Sequence, residues 1–266
     1  MSLEDPDADF PPDPGAVRAP PAARWRRVLP WRGGPALLAG VCLAVFAAQR
    51  IAGRADVLTG YSFADVLTFA FGLHGPLLAR GFFWQPLTYL FLHGSLLHLA
   101  MNTVTVLFFG GALEEELGRR RFYGLFFVTG VLGGLGWLAL DAAEPGLARL
   151  LESASWPGAA ELAHRLTAAH AGGRFGVCIG ASAAVFGLIG AYAALFPRRR
   201  VVVLLGWPVQ MRARTLALLL GAVTVAEMLL HRGQVAYAAH LAGGVAGYFV
   251  GRRLRRGGLG DAAESD

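Results

Sequence analysis

Gly176–Tyr192 reads GVCIGASAAVFGLIGAY, an apolar run of small residues with the hydroxyl of Ser182 set among glycines and alanines. A run like this reads as a membrane-spanning helix, because backbone groups in lipid must be satisfied within their own segment. The hydroxyl has two readings. Small residues let helices touch, so it can be a packing feature. It can also be a nucleophile that needs open space for the backbone of another chain.

The rest of the chain is equally apolar. Of 266 residues, 55% are hydrophobic and 16% charged, where a soluble domain carries about a quarter charged. Five further apolar runs stand out: Pro35–Ala48, Pro86–Gly110, Phe122–Leu140, Thr215–Leu230 and Val235–Val250, with Phe175–Phe196 around the quoted stretch. The length suits about six helices of roughly 20 residues. An all-α polytopic membrane protein, a six-transmembrane-helix bundle, is expected. No internal repeat is apparent, which weighs against an inverted-repeat transporter.

All 24 basic residues are Arg, and the net charge of +6 lies beside the apolar runs, so it reads as topology rather than nucleic-acid binding. With the N-terminus inside, the inner side holds Arg18, Arg24, Arg26, Arg27, Arg32, Arg119–Arg121, Arg198–Arg200, Arg212, Arg214, Arg252, Arg253, Arg255 and Arg256. The outer side holds Arg50, Arg54, Arg80, Arg149, Arg165, Arg174 and Arg232. The asymmetry, 17 against 7, predicts that both termini are cytoplasmic. Residues 1–33 are expected to be a disordered cytoplasmic tail, 34–253 the membrane domain and 254–266 a second cytoplasmic tail. Cys42 and Cys178 fall inside apolar runs, which argues against a structural disulfide and shows no metal-type spacing. Residues 51–84, with YSFADVLTFAFGL and RGFFWQ, are expected to lie partly in the membrane interface, and 141–174 to form a surface helix. The absence of a targeting segment points to a bacterial inner membrane.

Polar residues inside such runs are functional candidates by default. Ser182 lies six residues after Gly176, roughly 9 Å from the outer helix end at 1.5 Å per residue. His240 follows Val235 by five residues on the last run, at a similar depth. A hydroxyl and an imidazole at one level meet a precondition for a base-activated serine. Alternatively, each bonds its own helix or a neighbour. In FLHGSLLHLAMNTV, His98 and Asn102 are four apart and share a helix face, with His93 five residues earlier on an adjoining face. Two uses compete: imidazoles ligating a metal or haem, which Asn102 suits poorly, or N–H donors aimed at a developing oxyanion. Glu227 and His231 form a further i, i+4 pair, read first as an interfacial pair reaching water.

Four ordered motifs then resemble the rhomboid intramembrane serine proteases, over roughly Trp84 to Gly251. FFWQPLTYLFLHGSLLHLAMN is similar to the family's loop-to-second-helix signature, GGALEEELG to its Gly-Gly-x-x-Glu-x-x-x-Gly, GASAAVFG to its Gly-x-Ser-Gly nucleophile motif, and AHLAGGVAG to its Ala-His-x-x-Gly-x-x-x-Gly. The resemblance implies that Ser182 is the nucleophile and His240 the general base, with His98, Asn102 and the Ser182 backbone N–H as the oxyanion hole. It implies supporting roles for His93, Gly180 and Phe186, the last packing on His240. Gly243 and Gly247 would admit the sixth helix close to the fourth, and Gly110, Gly111, Glu114 and Gly118 would be structural. The activity implied is endopeptidase cleavage of transmembrane protein substrates near the outer face of a lipid bilayer. No cofactor, metal or nucleic acid is implied, and the oligomeric state is open.

Two departures accompany the resemblance. Ala183 stands where the family usually has Gly, so an extra methyl sits beside the nucleophile. Gln85 follows Trp84 where some members have Arg, so an ion pair anchoring the preceding loop would be missing. Alternatives from other classes are a catalytically silent rhomboid-like protein binding membrane clients, and a small transporter or haem protein using the histidines.

Overall fold

Glycine and proline set the start of the first helix, α1 (Gly34–Ala52): Pro35 occupies its first turn, where a missing N–H costs nothing. The N–H of Gly34 donates to the carboxylate of Glu114, 3.0 Å from each oxygen. An anion there also complements the helix dipole. The computed structural model describes residues 33–53, 56–58, 61–154, 158, 176–204, 207–230, 236–257 and 259. The hairpin β1 (Asp56–Leu58) and β2 (Tyr61–Ser62) and the helix α2 (Phe63–Phe71) follow α1. Ser62 and Asp65 cap α2 reciprocally. Two long helices come next, α3 (Leu96–Leu117, with a π-helical stretch at Val106–Gly110) and α4 (Arg119–Glu152). The remaining elements are α5 (Ser182–Leu195), the antiparallel hairpin β3 (Arg200–Leu204) and β4 (Pro208–Arg212), α6 (Ala213–Leu230) and α7 (Tyr237–Arg256).

The chain is thus mostly helical. Among the described residues, Gly34–Ile51, Leu96–Leu117 and Arg119–Ala143 are long and apolar enough to cross a membrane, and Ser182–Leu195 is a shorter apolar helix. α5 is the centre of the molecule. Its residues are buried all round except Ser182 and Phe186, as expected of a helix with no polar face. α7 and α4 pack on it most extensively, and α6 only lightly. A Cβ at Gly243 would run into the Ala183 carbonyl oxygen, and one at Gly247 into that of Gly187. Backbone therefore rests on backbone along the α5–α7 seam, the contact that small residues permit.

Four expectations change. The run Pro86–Gly110 is not one helix: Gln85–Thr88 and Tyr89–Phe91 are short turns, and α3 starts at Leu96, where Ser95 Oγ accepts the His98 N–H at 3.1 Å. The run Phe175–Phe196 becomes helical only at Ser182, so the 9 Å depth counted along a helix from Gly176 does not hold. The third run does not stop at Leu140, because α4 continues through Pro145 to Glu152 and takes in the first part of the segment 141–174, most of the rest of which lies outside the described residues. Finally, β3 and β4 lie in a connection for which no strands were expected, although the β-branched RVVVL carries that signal. Of the segment 51–84, α2 buries no residue and exposes Phe63, Val66 and Phe69, as an interfacial element would. Residues 1–32, 159–175 and 260–266 lie outside the described residues, and α7 carries helix through Arg256.

Glu114 also pairs with the exposed Arg119 at 3.1 Å. Glu114→Ala therefore removes the acceptor for the first N–H of α1. The expected cost is about 1–3 kcal/mol, read as a lowered thermal midpoint in micelles, with Glu114→Gln recovering part of it. An unchanged midpoint in Glu114→Ala would show that this bond does not hold α1.

Candidate active site

Three loops converge on the N-terminus of α5. Gly176 and Gly180 have φ of 57° and 114°, backbone that glycine reaches without strain. They break the chain away from helix before Ser182. Cys178 then forms an antiparallel bridge with Leu73, both bonds 2.9 Å, and the Gly180 N–H donates to the Tyr89 carbonyl at 2.8 Å. Tyr89 is itself pinned, its hydroxyl donating to the Gly130 carbonyl of α4 at 2.6 Å. Ser182 thereby becomes the first residue of α5, and its N–H has no acceptor inside the helix.

Across the α5–α7 seam, His240 Nε2 lies 2.7 Å from Ser182 Oγ. The distance suits a hydroxyl donating to an unprotonated ring nitrogen, the arrangement in which imidazole can take the serine proton. Phe186, one turn below Ser182, stacks on the His240 ring with centroids 4.5 Å apart and planes 7° from parallel. Among the described residues, no carboxylate hydrogen-bonds to His240.

A second group surrounds Gly180. A Cβ there would overlap the His98 ring and come 3.7 Å from Asn102 Nδ2, so both side chains reach the backbone two residues before Ser182. Asn102 Nδ2 is 3.1 Å from His93 Nε2, and His93 Nδ1 is 3.2 Å from the Phe91 carbonyl. One neutral tautomer satisfies both, with Nδ1–H donating to Phe91 and Nε2 accepting from Asn102. Both nitrogens of that imidazole are then engaged, leaving neither for a metal. His93 sits in the loop before α3, not on its face, and its rotation relative to His98 along a helix does not apply. The two rings meet edge-on at 5.0 Å.

The two departures look different in three dimensions. The methyl of Ala183 is buried and lies where a Cβ at Gly133 of α4 would be, so the extra carbon is absorbed by a glycine on the neighbouring helix. Gln85 is fully buried and anchors the loop without charge. Its Oε1 accepts the His74 N–H at 3.1 Å, and its Nε2 donates to the Phe69 and Ala70 carbonyls at 3.1 and 3.3 Å. Trp84 Nε1 and Thr88 Oγ1 add bonds to Ala70 and Phe71, at 2.9 and 2.7 Å. The missing ion pair is thus replaced by a neutral clamp.

Sequence reasoning missed Gln49, whose Oε1 accepts the His93 N–H at 3.1 Å. A buried amide in the apolar run of α1 was the available signal. It also missed the Tyr89 tether, which no spacing announces. Glu227 accepts from the Tyr237 hydroxyl at 3.1 Å, while His231, its expected partner, lies outside the described residues.

Comparison with known proteins agrees with these motifs. The sequence model of the Rhomboid domain matches residues 80–257. Rhomboid protein 1, mitochondrial, of Saccharomyces cerevisiae is 30% identical over 161 residues, 60% of this chain and 39% of that protein. YdcA of Bacillus subtilis is 25% identical over 137 residues, 52% of this chain and 47% of that protein. Rhomboid-like protease 3 of Toxoplasma gondii is 34% identical over 62 residues, 23% of this chain and 24% of that protein. The chain covers less than half the length of each of these relatives. Their sources are mixed, so they do not support a bacterial inner membrane over other membranes. With a family match spanning two thirds of the sequence and apolar helices to fit it, this integral membrane protein belongs to the rhomboid family.

Proposed function

We propose that the protein is an intramembrane serine endopeptidase that cuts membrane-protein substrates within or beside a transmembrane segment. The observation that carries this reading is the 2.7 Å approach of His240 Nε2 to Ser182 Oγ, with Phe186 holding the imidazole plane. Ser182 Oγ attacks the carbonyl carbon of the scissile peptide while His240 Nε2 takes its proton. The tetrahedral oxygen develops negative charge at the N-terminus of α5, where the Ser182 N–H and the helix dipole favour an anion. His98 and Asn102 supply the side-chain donors. His240 returns the proton to the leaving amine, an acyl-enzyme forms on Ser182, and water releases it by the reverse sequence.

The membrane placement follows from lengths and charge. Six helices, α1 and α3 to α7, cross the bilayer with both termini cytoplasmic, the side that holds most arginines. The membrane domain is 34–253, flanked by cytoplasmic tails at 1–33 and 254–266. α5 has 14 residues, so it is roughly 21 Å long against a hydrocarbon core of about 30 Å. With its C-terminal end at the inner surface, Ser182 lies about 9 Å below the outer one. Non-helical backbone at that depth is tolerated where it is buried or lines a wet cavity, and residues 176–181 are held by Leu73 and Tyr89. A helical substrate hides its carbonyls in its own hydrogen bonds, so segments that unwind readily, rich in Gly, Pro or small residues near the outer face, are preferred.

Purified protein in vesicles with a labelled transmembrane reporter is expected to yield two fragments cut on the outer side of the span. An intact reporter, across segments with and without helix-breaking residues, would overturn the assignment. Asn102→Ala is expected to lower kcat about 10²–10³-fold with KM little changed, since its N–H acts on charge that appears only in the transition state. A rise in KM at constant kcat would show ground-state binding instead. The silent-binder alternative drew its support from Ala183, whose methyl is spent on the contact with Gly133.

A further inference from the structure

α6 packs only lightly on its neighbours, and a crevice of about 1030 Å³ lies between α5, α6 and α7. Its walls are apolar and small, with Ala217, Leu218, Gly221, Gly244 and Val245 among them. One end reaches Phe186 and His240, and the other is lined by Arg214, Arg252, Arg255 and Arg256. Among the described residues, no carboxylate lines it. We propose that this crevice is a binding site for an anionic phospholipid, its phosphate on the arginine end and an acyl chain running along α7 toward the middle of the membrane.

Three observations carry this. First, the charge is one-sided. Four guanidinium groups at one mouth attract a phosphate, and Arg recognises phosphate with paired N–H donors. Arg255 Nη1 reaches the Ala194 carbonyl at 3.5 Å, and the Arg252 guanidinium lies 5.9 Å above the Tyr248 ring. Both are thereby directed along the crevice walls. Second, the length fits. From His240 to Arg256 α7 rises roughly 24 Å, more than one leaflet of a core about 30 Å thick. Third, the lining matches one occupant: small apolar walls suit an acyl chain, and guanidinium groups confined to one mouth suit its phosphate. A lipid there would also reach the ring stack of Phe186 and His240, tying the inner leaflet to the site.

The test is retention of lipid by the full-length protein. Protein released from vesicles of phosphatidylcholine with phosphatidylglycerol is analysed by native mass spectrometry. The wild type is expected to keep phosphatidylglycerol in preference to phosphatidylcholine. Arg252→Gln with Arg256→Gln should lower that retention roughly tenfold or more, from about 1 kcal/mol for each Arg lost. Arg120→Gln with Arg121→Gln removes the same charge elsewhere on the arginine-rich side and should change little. Gly221→Phe fills the apolar part with every arginine in place, and a Cβ at Gly221 meets nothing within 4 Å, so this variant can fold. It should also release the lipid. Equal losses in both arginine pairs, full retention in Gly221→Phe, or no preference between the lipids would each overturn the proposal. So would cross-linking of the reporter segment, rather than lipid, to Gly221→Cys. The readout needs no proteolysis, so its failure is separate from any failure of the serine chemistry.

Discussion

Ser182→Ala and His240→Ala are each expected to reduce cleavage of a transmembrane reporter by about 10⁴-fold or more. Thermal midpoint and membrane insertion should stay near those of the wild type. The size follows from what each change removes. In the proposed mechanism, loss of Oγ leaves no nucleophile, and loss of Nε2, which lies 2.7 Å from it, leaves nothing to take the hydroxyl proton. Because the two act as one unit, the double variant should be hardly worse than either single one. Ser182→Cys tests the geometry separately, since the nucleophile changes while the partner stays. Cleavage within tenfold of wild type in Ser182→Ala would mean that another group attacks.

The second large effect is expected at the seam between α5 and α7. Gly243→Val places carbon where the Ala183 carbonyl oxygen already sits, and a backbone oxygen cannot swing aside as a side chain can. The helices must part. Overpacking of this kind typically costs about 1–3 kcal/mol. The catalytic cost is larger, because a displacement near 1 Å can cost about 10²-fold, and Ser182 and His240 stand on opposite sides of that seam. Cleavage should therefore fall further than stability does. Gly124→Ala, at a position with open space, serves as the control and should leave both nearly unchanged. A Gly243→Val protein with wild-type rate and midpoint would mean that the seam does not set the distance.

The apolar runs and their arginine borders made the helical membrane character legible, because hydrocarbon leaves a chain few alternatives. Ser182, His240 and Phe186 were legible because an i+4 step and matched motifs bring them together, and all three meet. What the sequence hid was backbone shape. Ser95 and the positive-φ glycines 176 and 180 start α3 and α5 late, and nothing in hydropathy marks an apolar loop as distinct from an apolar helix turn. His93 reaches Asn102 all the same, from a loop rather than a helix face. The two departures misled for a related reason. Ala183 and Gln85 were weighed against the residues they replace, while their effect is decided by Gly133 and by the carbonyls of residues 69 and 70, partners distant in sequence or unmarked by side chain.

Transfer of the serine proton to His240 is the central step of the proposed chemistry. Treatment with a fluorophosphonate probe followed by peptide mass analysis reads it directly. An adduct on Ser182 in the wild type, lost in His240→Ala and unaffected by Gly124→Ala, is the predicted result. A folded wild-type protein that takes up no probe at Ser182, or a His240→Ala variant that labels as fast, would contradict it.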